Sequence, residues 1–141
     1  MKFSGKCLCG KVSYKSHAEP VLVLNCHCED CRRSTGAVYG TNVMVPEDQL
    51  EINGEVSIFS HKAKIGNNMT KRFCKTCGTL MFGNSSGRKN VVSIRAGGVD
   101  QTDIINPVMN VFVDSKISST PINNYLPQAS EMPQGEPWKK D

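Results

Sequence analysis

The chain has 141 residues, enough for one domain with its own core. Aromatic residues make up 6% and charged residues 21%, which excludes a collagen, a coiled coil and overall disorder. The net charge is only +4 and the basic residues are scattered, with Lys62-Ala63-Lys64 and Lys71-Arg72 the densest stretches before the tail. Such short runs read as solvated faces, so no nucleic acid is expected as a partner. No apolar run approaches the length that spans a bilayer, so no membrane is expected either. Met1-Lys2-Phe3-Ser4-Gly5 carries a positive charge with no apolar core behind it and does not read as a signal peptide. The expectation is a cytoplasmic protein.

In chain order, Phe3 to Lys6 reads as a short strand leading into Cys7-Leu8-Cys9-Gly10. Side chains at i and i+2 share a face in an extended chain, so Cys7 and Cys9 can chelate from a strand end. Gly10 then lets the backbone turn. Lys11 to Lys15 alternates polar and apolar residues, as a half-buried strand does. Pro20 to Leu24 is an apolar, β-branched run that delivers Cys26 to a loop. Glu29 to Thr35 suits a short helix closed by Gly36. Ala37 to Val45 reads as a strand ended by Pro46, and Pro46 to Gln49 as a turn. Leu50 to Ile52 and Glu55 to Ser60 alternate, and Asn53-Gly54 between them is a strong hairpin signal. Ile65 to Asn68 is another turn.

Thr70 to Phe73 leads into Cys74-Lys75-Thr76-Cys77-Gly78, two thiols on a tight turn in the manner of a zinc knuckle. Thr79 to Phe82 returns as a strand and Asn84 to Gly87 turns again. Asn90 to Arg95 is a strand, Gly97-Gly98 a break, and Val108 to Val113 the last strand. The segments are short and separated by Gly, Asn and Pro, and no long stretch has helical periodicity, so the fold class is all-β or nearly all-β, with little helix. Residues 1–117 form the domain. Residues 118–141, rich in Ser, Pro, Asn and Gln before Glu131, Glu136, Lys139, Lys140 and Asp141, are a tail that wraps the domain or is partly disordered.

The seven cysteines are the most informative residues. An odd count without a secretory signal argues against a disulfide framework. Buried free thiols would have no reason to adopt these spacings. Cys26, Cys28 and Cys31 fall within six residues, where only a tight loop can aim three thiols at one point. Three thiolates leave one tetrahedral corner open, the arrangement that catalytic zinc uses. His27, between two of them, points its ring elsewhere. Cys74 and Cys77 need two more ligands, and Cys7 and Cys9 lack partners. Joined, they make a closed structural site, leaving the loop as an open one, with two zinc ions per chain. A rival partition shares one loop cysteine in a single four-ligand site. A redox dithiol is a further reading of Cys74-x-x-Cys77, weakened by Gly78 and the strand-like flanks. Arg32 and Arg33 follow Cys31 directly, where they can balance the site's charge and bind an anionic substrate.

Cys7-x-Cys9-Gly10, Cys26-His27-Cys28-x-x-Cys31-Arg32 and Phe73-Cys74-x-x-Cys77-Gly78-Thr79 together resemble the glutathione-dependent formaldehyde-activating enzyme family, which includes centromere protein V. Ser34-Gly36-Ala37 and Asn53-Gly54 fit the same pattern, and the likeness spans roughly residues 3 to 115. The resemblance implies coiled antiparallel sheets of the β-tent type. It implies a structural zinc on Cys7, Cys9, Cys74 and Cys77, and catalysis through a zinc on Cys26, Cys28 and Cys31. It also implies a carbon–sulfur lyase-like activity in which glutathione or another small thiol adds to an aldehyde, as in S-(hydroxymethyl)glutathione formation. Pro107-Val108-Met109-Asn110 departs from the pattern, with asparagine where members often carry histidine, and the single tryptophan is Trp138. The alternative function is a zinc-stabilised binding module of the same fold without catalysis. A methionine sulfoxide reductase type of redox chemistry would need a free nucleophilic cysteine that metal binding would remove. His17 and His61 are expected on surface segments.

Overall fold

The computed structural model describes residues 1–133. Trp138 and the charged residues expected at the end of the tail lie outside the described residues. Strands dominate. In chain order they are β1 (Phe3–Lys6), β2 (Ser13–Ser16), β3 (Leu22–Cys26), β4 (Gly40–Pro46), β5 (Leu50–Asn53), β6 (Val56–Lys62), β7 (Asn68–Cys74), β8 (Leu80–Ser85), β9 (Arg88–Arg95) and β10 (Asn110–Val111). One α-helix, α1 (Glu29–Thr35), occurs among the described residues, with short 3-10 turns elsewhere. The strands form a three-stranded sheet in the order β1-β2-β5 and a seven-stranded sheet in the order β10-β3-β4-β9-β8-β7-β6. All pairings are antiparallel except β10 with β3.

The larger sheet is covered on both faces at β3, β4 and β9, and period-two alternation decides which side chain goes where. On β4 and β9, Val43, Val45, Val92 and Ile94 point to one face, where Phe3, Tyr14 and Phe82 complete the main core. Tyr14 of the small sheet meets Phe82 edge to face, with ring centroids 5.4 Å apart. Their neighbours in sequence point the other way. Leu24, Cys26, Met44 and Val111 join Cys31 in a second buried cluster on the opposite face. That second face carries the candidate site.

Two expectations change. Asn53-Gly54 does not close a hairpin. β5 pairs with β2 while β6 pairs with β7, so the chain leaves one sheet and enters the other at this point. The reason is close packing. Gly54 has φ 109°, and a Cβ there would lie 2.1 Å from the Lys11 carbonyl oxygen, so the turn is pressed against the start of β2. The last strand is also shorter than expected. Val108 is exposed, and Phe112 takes a left-handed φ of 56° that ends the pairing after Val111.

Beyond β10 the chain returns over the second face. The Asn110 N–H donates to the Pro127 carbonyl at 2.9 Å and the Ala129 N–H to the Asn110 carbonyl at 2.9 Å. Ala129 and Met132 pack on the second cluster. The segment up to Pro133 therefore lies against the sheet and contributes to the wall of the site.

Candidate metal centre

The seven thiols fall into two groups in space, Cys7, Cys9, Cys74 and Cys77 in one and Cys26, Cys28 and Cys31 in the other. Within each group the sulfur atoms all lie within 4.8 Å of one another. None of the seven forms a disulfide.

The four-thiol group joins the end of β1 to the β7–β8 turn. Gly10 (φ 79°) and Gly78 (φ 76°) let each turn double back with its sulfurs on the inside. Backbone amides then aim at sulfur. The Val12 N–H donates to Cys7 Sγ at 3.4 Å, and the Thr76 and Cys77 N–H groups each donate to Cys74 Sγ at 3.4 Å. Cys77 Sγ lies 3.1 Å from Thr79 Oγ1, and its thiol is lowered to about 5, chiefly by that hydroxyl and the Thr79 backbone. The Cys7–Cys9 and Cys9–Cys74 sulfur separations are 3.6 and 3.8 Å. A tetrahedron of metal–sulfur bonds of about 2.3 Å has edges of about 3.8 Å, so these two separations match those of four thiolates around a zinc ion.

The three-thiol group is built differently. Cys26 ends β3, Cys28 caps α1 and Cys31 sits on its first turn. The Cys31 N–H donates to Cys28 Sγ at 3.2 Å, as in a side-chain N-cap. Cys26 and Cys31 are buried and Cys28 half-buried. Three anions at this spacing repel one another unless a cation shares them. Cys31 takes the charge most readily. The Cys26 and Cys28 thiols hydrogen-bond to it and the Arg95 guanidinium lies beside it, so its pKa falls to about 2. Cys26 is pushed up by Cys28 and Cys31, while Cys28, despite its contact with Cys26, rises to about 11. A divalent cation relieves that conflict. Three soft donors with an open corner are the donor set of a thiolate-bound zinc site.

These sulfurs face a cavity of about 340 Å³ on the second face of the large sheet. The alternation that builds the main core from Val92 and Ile94 turns Ser93 and Arg95 into this cavity. Arg95 Nη1 lies 3.5 Å from Cys31 Sγ and donates to Asn42 Oδ1 at 2.7 Å. Lys71 from β7 and Arg88 from β9 also line it. Burial lowers both of their pKa values.

Arg32 and Arg33 stand elsewhere. Neither lines the cavity of the three thiols. Arg33 is exposed, and its Nε donates to Glu29 Oε1 at 2.7 Å. The cations that do face the cavity are Lys71, Arg88 and Arg95, from strands far along the chain, and the exposed Lys64 of the β6–β7 turn. His27 is fully buried, its ring 4.7 Å from that of Tyr39, and is not among the grouped donors. His61, expected on a surface segment, is half-buried and lies 2.5 Å from Lys71 Nζ through its Nε2. Asn110 is buried at 1% exposure. Its Oδ1 accepts from Asn25 Nδ2 at 3.3 Å and its Nδ2 donates to the Asn123 carbonyl at 3.4 Å. The carboxamide ties the returning segment to β3.

No helix is long and apolar enough to cross a membrane among the described residues. A crystal structure of a protein from Rhodobacter sphaeroides, solved as a structural-genomics target, superposes with a TM-score of 0.55. It is 20% identical in sequence, and the match covers 74% of this chain and 96% of that one, a likeness that speaks to the fold. No curated protein matches the chain in sequence. The family model described as glutathione-dependent formaldehyde-activating enzyme matches residues 2–115, which include both thiol groups. The chain belongs to that family.

Proposed function

We propose that this protein is a zinc-dependent enzyme that makes or breaks a carbon–sulfur bond between a small thiol, such as glutathione, and an aldehyde. The observation that carries this reading is the pairing of a closed four-thiol group with a three-thiol group that opens onto a cavity. The first reads as a structural site on Cys7, Cys9, Cys74 and Cys77. The second reads as a catalytic site on Cys26, Cys28 and Cys31. In the addition, the thiol sulfur bonds to the carbonyl carbon and the thiol proton ends on the carbonyl oxygen. Zinc, when bound, supplies a Lewis acid that lowers the thiol pKa or polarises the carbonyl oxygen.

The chain's own residues arrange the rest. The Cys31 amide and Arg95 direct positive charge at two of the sulfurs, which favours their thiolates. Leu24, Met44, Val111 and Phe112 make the cavity wall largely apolar, which limits water at the sulfurs. Arg32 and Arg33, next to Cys31 in sequence, belong to this reading as an outer positive charge.

A second reading, a zinc-stabilised binding module, draws on Asn110. Its carboxamide carries no titratable proton and is held by Asn25 and Asn123, so it cannot relay one. One assay separates the two. Zinc-loaded protein is mixed with formaldehyde and a series of small thiols, and adduct formation is followed by NMR. The enzyme reading expects turnover that Cys28→Ser abolishes while the far-UV spectrum stays unchanged. No acceleration with any thiol–aldehyde pair would favour the module.

A further inference from the structure

The cavity holds more positive charge than the thiol site requires. Three thiolates with a zinc ion sum to about −1 by formal count. Arg95, hydrogen-bonded to Cys31 Sγ, already answers that charge. Three other cations line the cavity: Lys64, which is exposed to solvent, and Lys71 and Arg88, which are more enclosed. Lys71 is 6% exposed, and its nearest hydrogen-bonding partner is the His61 imidazole rather than a carboxylate. Arg88 donates to the Ser93 hydroxyl at 2.7 Å and approaches the Met44 sulfur at 3.7 Å, both neutral partners. Among the described residues neither Lys71 nor Arg88 has an ion-pair partner. Asp30 also lines the cavity and lies near enough to Lys71 to feel its charge, but no carboxylate plays that part for Arg88. Glu29, the other acid in the lining, is engaged by Arg33.

Burying a cation against neutral groups is costly, and proteins keep such an arrangement where an anion is to be received. A guanidinium is the side chain suited to a carboxylate, because two of its N–H groups match the two oxygens. Arg88 lies close enough to Cys26 and Cys31 to sense their charge, so the anion it receives sits near the sulfur site. A cavity of about 340 Å³ is at the small end of ligand pockets.

We infer that Arg88, assisted by Lys71, forms a carboxylate-binding subsite and that the substrate is a short thiol carrying a carboxylate. This rests on the thiol–aldehyde reading for the identity of the reacting group. Arg88 and Lys71 select the substrate, while the three cysteines hold the metal.

The test is isothermal titration calorimetry of the zinc-loaded full chain with 3-mercaptopropionate, 2-mercaptoethanol and propionate. The carboxylate-bearing thiol is expected to bind about ten-fold or more tightly than mercaptoethanol, the worth of one charged hydrogen bond. Arg88→Gln removes that advantage and leaves mercaptoethanol binding unchanged. Arg88→Lys retains part of it. If Arg88→Gln fails to fold, Lys71→Met and the comparison of probes on the unaltered chain carry the same test. Equal affinities for the two thiols would overturn the carboxylate subsite and leave the thiol reading standing. Propionate binding as tightly as mercaptopropionate, with the same Arg88 dependence, would support the subsite and overturn the thiol reading. No binding of any probe would overturn both.

Discussion

A single buried hydroxyl shows how residue chemistry sets the pH range of this fold. Tyr14 is 2% exposed, and its hydroxyl has no hydrogen-bond partner. Burial, helped by the charge of Asp100, raises its pKa above the ordinary value of 10.0. The sign follows from linkage. A folded pKa above the unfolded one contributes stability below pH 10, and that contribution is lost as pH rises beyond it. Urea midpoints should therefore fall between pH 9 and pH 11, and Tyr14→Phe should flatten that fall at little or no cost at pH 7. An unchanged slope in the variant would assign the alkaline loss to other groups. The cysteine spacing was legible at this scale because ligands that share a turn are neighbours in sequence. Lys71, Arg88 and Arg95 were not, because strand register brings them to the thiols and register leaves no local mark. Arg32 and Arg33 adjoin Cys31 in sequence, and neither lines the cavity. A helical turn carries adjacent residues to different faces, and here it sends Arg33 out to Glu29.

At the scale of elements, the four-thiol group joins pieces that no strand pairing connects. β1 belongs to the small sheet and the β7–β8 turn to the large one. Cys7 and Cys74 are both buried where the two meet. Metal binding at such a group is folding energy, of about 10 kcal/mol or more in zinc-finger peptides, comparable with the whole stability of a domain. Cys77→Ser should therefore yield a chain without a cooperative thermal transition by calorimetry, whereas Cys28→Ser should keep one. Equal behaviour of the two variants would erase the distinction between structural and open groups.

The passage from β5 to β6 makes a second element-scale test. Gly54→Ala should cost about 3 kcal/mol in urea unfolding, because the added Cβ meets the Lys11 carbonyl at a backbone angle that alanine rarely adopts. Alternation marked β2, β5 and β6 in the sequence, an apolar run marked β3, and Gly36 marked the end of α1. Sheet membership was not marked. Asn53-Gly54 is chemically a good hairpin turn, and only the contact with β2 turns it into a crossing between sheets.

Across the whole molecule, one geometric fact organises the site. The β3-β4-β9 part of the large sheet is covered on both faces, so alternate residues of these strands build a packed core on one side and a cavity on the other. The segment after β10, held by Asn110, closes over the second side. Each thiol group then has its own setting. The four-thiol group sits between the sheets and the three-thiol group lies on the floor of the cavity. The measurement that bears most directly on this division is zinc content per chain, on protein purified under reducing conditions without added metal. Two zinc ions are predicted, one for each thiol group. One should leave with a mild chelator while the fold and its thermal transition persist. A single zinc that leaves only on unfolding would contradict the open site, and a chain that folds with no zinc would contradict both.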